Sequence, residues 1–250
     1  GLDHARPRDI LSYYGIEDPA RIDFAALWGT RADLNSPQRL RIPFGNRTDT
    51  GELVMLDLKD MNNGGDGPHG VMSGTTGSGK TTALRTVIEA IMLGHPPQNV
   101  QMVLADCKGG AGVKPFEGTP HVAHVITDLE SDQGGLMDRF IDAMWGEIAR
   151  RKEICNAAGA DDAEDYNAIA AREARARRHL PALIVVIDEF KELFRIKANA
   201  HEVLDQIGRQ GRSYWVHLLM ASQDIDTRAE KLLENVGYRL VLRANTAASA

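Results

Sequence analysis

Ser73-Gly-Thr-Thr-Gly-Ser-Gly-Lys-Thr-Thr82 follows the apolar stretch His69 to Met72 and precedes a run whose Ala83, Leu84, Val87, Ile88 and Ile91 share one helical stripe. Gly74 to Thr81 fits the pattern G-x-x-x-x-G-K-[ST], and it stands between a strand and a helix, as phosphate binding requires. Glycines let successive N–H groups turn toward phosphate oxygens that side chains would otherwise block. The helix beginning at Thr81 adds unpaired N–H groups and a positive dipole end. Lys80 is spaced to reach β and γ phosphates, and the Thr81 hydroxyl to ligate Mg²⁺. The expected nucleotide contacts are therefore Gly74, Thr75, Thr76, Gly77, Ser78, Gly79, Lys80, Thr81 and Thr82.

Outward from this loop, apolar segments alternate with helical patterns. His69 to Met72, Val100 to Ala105, Leu183 to Ile187 and Val216 to Ala221 read as buried strands, with Val122 to Ile126 and Tyr238 to Leu242 as further candidates. Leu136, Phe140, Met144 and Ile148 recur at every fourth position, a second helical stripe. Such alternation predicts an α/β fold with a mostly parallel central sheet flanked by helices on both faces. The first 60 residues differ. Ile10 to Trp28 carries short helical pieces broken at Gly15 and Pro19, and Leu40 to Phe44 with Leu53 to Leu58 read as strands around a turn. We expect residues 1–61 to form an N-terminal strap and small β appendage, and residues 62–250 to form the core. The turn-rich Asn62 to Pro68 would be the hinge.

Leu183-Ile-Val-Val-Ile-Asp188-Glu189 is an apolar strand ending in two acids. Beside a phosphate loop, Asp188 is the expected Mg²⁺ carboxylate, and Glu189, pointing elsewhere, is placed to orient or deprotonate an attacking water. A bare strand capped by two solvated acids is the competing reading, and the loop weighs against it. Val216 to Ser222 is another apolar strand, and Gln223 at its tip is placed to contact the γ-phosphate or its water. Arg209 and Arg212 lie three apart at the end of the preceding helical pattern. Arg212 is the candidate for a charge donated to a neighbouring subunit's transition state, with Arg209 and the pair Arg239 and Arg243 as rivals.

Composition narrows the classes. The 250 residues are 43% hydrophobic and 26% charged, as in a folded soluble domain. The longest apolar run, Ala182 to Ile187, is far short of the roughly 20 residues of a membrane helix, and no signal peptide is visible. Cys107 and Cys155 suggest neither a disulfide framework nor a zinc site. The net charge of −6 gives no global basic field, so nucleic acid is not the expected partner. Asp106 and Lys108 follow a strand and would line either the site or a plain turn. His121 and His124 would face opposite sides of a strand, which argues against a shared metal. The basic stretch Ala171 to Arg178 suits an exposed helix or loop.

Taken together, Gly67-Pro-His-Gly70, the loop, Asp106-x-Lys-Gly109, Val186-Ile-Asp-Glu-Phe190, Gly208-Arg-x-Gly-Arg212 and Val216-His-Leu-Leu-x-Ala-Ser-Gln223 resemble the FtsK/SpoIIIE ATPase family. They are closest to the EccC class of mycobacterial type VII (ESX) secretion motors. The combination is specific, although no single motif is. The resemblance implies a RecA-like P-loop NTPase, ATP and Mg²⁺ as ligands, ATP hydrolysis that is weak in an isolated domain, and hexamers around a pore. It further implies several domains in tandem on the cytoplasmic side of an inner-membrane anchor. Expected partners are other secretion-system membrane components and WXG70 or PE/PPE-type secreted proteins. The intact loop looks most like the first ATPase domain, and Arg212 and Gln223 fall where the family places its trans arginine and strand-end polar residue. The family's domain continues beyond Ala244 to Ala250, so a final strand is expected to be missing. Two other readings remain at this point. One is a DNA translocase of the same superfamily, and the other is a nucleotide-binding assembly module with little turnover.

Overall fold

The computed structural model describes residues 9–127, 135–173, 178–197, 199–223 and 230–243. Two short helices, α1 (Ile10–Tyr13) and α2 (Phe24–Trp28), precede an antiparallel pair, β1 (Arg41–Asn46) and β2 (Leu53–Asp57). Then follow β3 (His69–Ser73), α3 (Lys80–Gly94), β4 (Val100–Asp106), β5 (Val122–Thr127), α4 (Leu136–Ala158) and α5 (Ala163–Arg172). The chain ends with β6 (Ala182–Asp188), α6 (Phe190–Ile196), α7 (Ala200–Tyr214), β7 (Val216–Ser222), α8 (Glu230–Leu233) and β8 (Tyr238–Val241).

The six core strands lie in the order β5-β4-β6-β7-β3-β8, and each neighbouring pair is parallel. All their C-terminal ends therefore meet on one edge of the sheet. β3, β6 and β7 are buried at every residue, which explains why they read as continuous apolar runs, whereas the outermost strands β5 and β8 are partly exposed. Successive strand residues feed opposite layers. Met72, Leu104, Val186 and Leu219 pack with Leu84, Val87, Ile88 and Ile91 of α3. Val71, Val185, Ile187 and Met220 pack instead with Phe140 and Met144 of α4, Phe190 of α6 and Leu204 of α7.

The appendage is tied into the first layer. Leu40, Ile42, Leu56 and Leu58 belong to the same buried cluster as α3, and each such side chain contributes about 1.5–3 kcal/mol when withdrawn from water. Tyr14 Oη donates to the carbonyl of Ala90 at 2.7 Å and Trp28 Nε1 to that of Met92 at 3.2 Å. On the opposite side Arg151 of α4 is 2% exposed. Its Nε donates to Glu147 Oε1 at 2.7 Å, and its Nη1 donates to the carbonyls of Pro181 and Tyr214, both at 2.8 Å. One guanidinium thus joins α4 to the entrances of β6 and β7.

Several expectations shift. Helix α3 begins at Lys80, one residue before the expected Thr81. His121 precedes β5, is buried and bonds through Nε2 to the carbonyl of His95 at 2.7 Å, while His124 is exposed. α5 ends at Arg172 and so takes in the first two residues of the basic stretch; residues 174–177 of it, and the tail 244–250, lie outside the described residues.

Candidate nucleotide site

The loop after β3 hangs from both flanking strands. Gly74 N donates to the carbonyl of Ser222 at the end of β7 at 3.3 Å, and Thr75 N and Oγ1 both donate to that of Arg243 after β8 at 3.0 Å. Gly77 (φ 78°) and Gly79 (φ 90°) adopt left-handed conformations that side chains resist. A Cβ at Gly74 would come within 2.5 Å of Ser78 Oγ, so only glycine lets the loop curl this tightly. Inside the curl Ser78 Oγ is buried without a hydrogen-bond partner, while Thr76, Thr81 and Thr82 are exposed. An exposed ring of donors around an orphaned hydroxyl fits an anion with several oxygens.

Lys80 is 7% exposed and turns back onto the end of β6. Its ammonium donates to Asp188 Oδ1 and lies 3.0 Å from Glu189 Oε1. Gln223 Nε2 donates to that same Glu189 oxygen at 3.2 Å, and Thr76 Oγ1 donates to Gln223 Oε1 at 3.2 Å. Three sequence-distant segments, the loop, the end of β6 and the end of β7, are thereby joined side chain to side chain. Glu189 does not point away from Asp188 as expected. Its backbone is left-handed (φ 53°), a strained geometry for a residue with a side chain, and it bends the carboxylate back toward the same lysine.

Burial works against the Lys80 charge, but Asp188 and Glu189 outweigh it and hold the group above the ordinary lysine value. On Asp188 burial pushes the carboxyl up, Lys80 opposes, and Asp106 and Glu189 reinforce the rise. These tendencies conflict over one contact. The direct ammonium–carboxylate bond favours a charged pair, and the rise on Asp188 reflects its burial first and the neighbouring acids Asp106 and Glu189 second. A divalent cation suits such a place, and the chemistry of the donors fits it. A Cβ built at Gly112 would stand 3.4 Å from Asp188 Oδ2, 3.5 Å from Thr81 Cγ2 and 3.6 Å from Asp106 Oδ2. Thr81 and Asp188, far apart in sequence, therefore converge on one point.

The arginines separate. Arg212 ends α7, beside the start of β7, and so lies on the sheet edge opposite its own loop. It is paired with Asp60 at 3.1 Å, a partner that nothing in the local sequence signalled. Arg209 pairs with Asp205 at 2.6 Å. Arg239 is exposed on outer strand β8, and Arg243 lies by the loop through its backbone. A cavity of about 500 Å³, lined by Asp60, Arg212, Trp215 and His217 among others, sits at the far edge and is no part of the loop site. Sequence reading also missed Arg85 and Gly112, although glycines clustered after a strand-end Asp106 were a usable signal.

With this geometry in hand, comparison with known proteins is informative. The FtsK/SpoIIIE family pattern matches residues 25–227. The chain is 64% identical over 251 aligned residues to the ESX-5 secretion system protein EccC5 of Mycobacterium marinum, a match covering 99% of this chain and 18% of that protein. The chain thus spans about a fifth of the length of such relatives. Its structure is similar to the cytoplasmic domain of the Thermomonospora curvata type VII secretion ATPase EccC, with a TM-score of 0.87 and 37% identity over 98% of this chain and 28% of that one. A structure of ATPases 2 and 3 of the T. curvata protein, in complex with a signal sequence peptide, matches with a TM-score of 0.70 and 24% identity over 86% of this chain and 38% of that one.

Proposed function

Because this chain belongs to the FtsK/SpoIIIE family, we propose that it is the first ATPase domain of a type VII secretion motor, binding Mg²⁺ATP and hydrolysing it to drive protein export. The observation that carries the reading is the bridge from Lys80 to both Asp188 and Glu189, linked through Gln223 to the loop. The assignment to the first domain rests on the contrast between the T. curvata structures: its whole cytoplasmic part is a far better match than its ATPases 2 and 3 alone. Residues 1–61 then act as a strap on the core 62–250.

In this reading the loop Gly74 to Thr82 would hold the β and γ phosphates through those of its backbone N–H groups that are not already bonded within the protein, and Lys80 would leave the acids to take a phosphate oxygen. Thr81 and Asp188 would hold Mg²⁺, which supplies positive charge where the phosphates gain negative charge. Glu189, released by Lys80, holds the attacking water and accepts its proton, with Gln223 fixing its carboxylate. Arg212 cannot serve its own loop across the sheet and is assigned to a neighbour's nucleotide in a homohexamer. The motor works on the cytoplasmic side of an inner-membrane anchor, with other secretion-system membrane components, on WXG70 or PE/PPE-type cargo. Lys80→Ala is expected to abolish ATP binding by calorimetry, and retained micromolar affinity would refute the loop assignment. The same domain assayed with DNA separates a translocase: stimulation that falls steeply with salt would favour one, and the net charge of −6 speaks against it.

A further inference from the structure

Asp106 ends β4 in register with Asp188 at the end of β6, and both are buried, at 5% and 4% exposure. Its carboxylate closes the following loop on itself. Oδ1 accepts from Lys108 N at 2.9 Å, and Oδ2 accepts from Gly112 N at 3.3 Å. From the other side Arg85 of α3 donates through Nε to the carbonyl of Gly112 at 3.2 Å and through Nη2 to that of Ala111. Residues 108–112 are therefore clamped between a strand-end acid and the helix that follows the phosphate loop. The clamp presses the Gly112 backbone against the Thr81–Asp188 pair, where even a methyl group would touch both. Asp106 also brings a second negative charge to the metal half of the site, while the ammonium of Lys80 is engaged by Asp188 and Glu189.

We propose that Asp106 is a positioning residue for the divalent cation: it fixes the 108–112 loop as one wall of the Thr81–Asp188 pocket and supplies outer charge that makes the ion bind tightly. This rests on the reading of Thr81 and Asp188 as the metal pair. Outer partners of metal ligands typically change metal affinity by about 10–100-fold when removed. A Cβ at Gly112 would lie in ordinary van der Waals contact with Asp188, Thr81 and Asp106, so an alanine there would add a methyl group to this wall without an overlap that forces the backbone to move.

The test titrates Mg²⁺ into the 250-residue chain with a fluorescent ATP analogue, and separately measures analogue affinity in EDTA. Asp106→Asn is expected to raise the half-saturating Mg²⁺ concentration about tenfold or more, with EDTA affinity unchanged. A purely structural role would instead move both readouts together, or neither, and either result overturns the proposal. If Asp106→Asn does not fold, Gly112→Ala takes its place with the same two expected readouts, and an unshifted Mg²⁺ requirement would sink the idea. Thr81→Ala, measured alongside, separates the layers: an unchanged Mg²⁺ requirement there defeats the metal pair itself, and not merely the role of Asp106.

Discussion

Lys80 Nζ lies 3.0 Å from Glu189 Oε1, the oxygen that also accepts the Gln223 side-chain N–H. While that contact lasts, the acid proposed to receive a proton from water is held by a cation. Phosphate arriving at Lys80 would release it. Glu189→Gln is therefore expected to retain nucleotide binding and lose turnover by at least ~10²-fold, the usual contribution of a general base. Gln223→Ala should give a smaller loss with binding intact. Single-turnover hydrolysis beside equilibrium binding checks both: full turnover in Glu189→Gln would remove Glu189 as the base, and absence of turnover in both the unchanged and the substituted chain would make the domain a binding module.

Arg212 is more than half exposed, so its pair with Asp60 is worth at most ~1 kcal/mol and yields readily to a stronger anion. Arg212→Ala should leave stability nearly unchanged and lower ATPase activity only at concentrations where chains associate. Mixing Arg212→Ala with Glu189→Gln chains should restore part of the rate, because a composite site then has one good copy of each residue. Equal loss in a proven monomer would remove the trans role.

Arg151 predicts a stability effect away from the site. Truncation to Ala strips Glu147 of a buried partner and leaves the carbonyls of Pro181 and Tyr214 without their donor. Loss of a buried pair costs about 3–5 kcal/mol. Urea unfolding at neutral pH measures it, and a cost below about 1 kcal/mol would show that the junction of α4, β6 and β7 holds by apolar packing alone.

Three buried histidines set the acid limit. Burial pushes His69 and His95 down to about 4 and His217 to about 3. His69 Nδ1 accepts from Leu218 N at 3.1 Å, as a neutral ring does. A group whose folded value is depressed gives its full stability above the unfolded value, near 6.5, and loses it as pH falls toward the folded value. Each such histidine removes up to about 1.4 kcal/mol per pH unit below that point. Denaturant midpoints should fall between pH 6.5 and 4.5, and His217→Leu should flatten the slope. An unaltered slope would place the acid sensitivity elsewhere.

Much of this was legible because the determinants are local. Buried parallel strands must be apolar throughout, so β3, β4, β6 and β7 announced themselves, and a loop that needs glycines at Gly74, Gly77 and Gly79 leaves a dense signature. What joins distant segments left none. Asp60 meets Arg212 across most of the chain, and Arg85 of α3 reaches the carbonyls of Ala111 and Gly112. The position of Glu189 was misread because its left-handed backbone depends on the turn from β6 into α6, which a period-two reading of the strand cannot see. Strand order was equally hidden, since β8 pairs with β3 only through tertiary placement.

The phosphate loop and Arg212 occupy opposite edges of one parallel sheet. A head-to-tail contact that joined them would use two different patches, so every added copy would leave one patch of each kind unsatisfied until rotation closed the circle. Such a row of copies would keep open ends, and its closure would be a matter of the angle between successive copies.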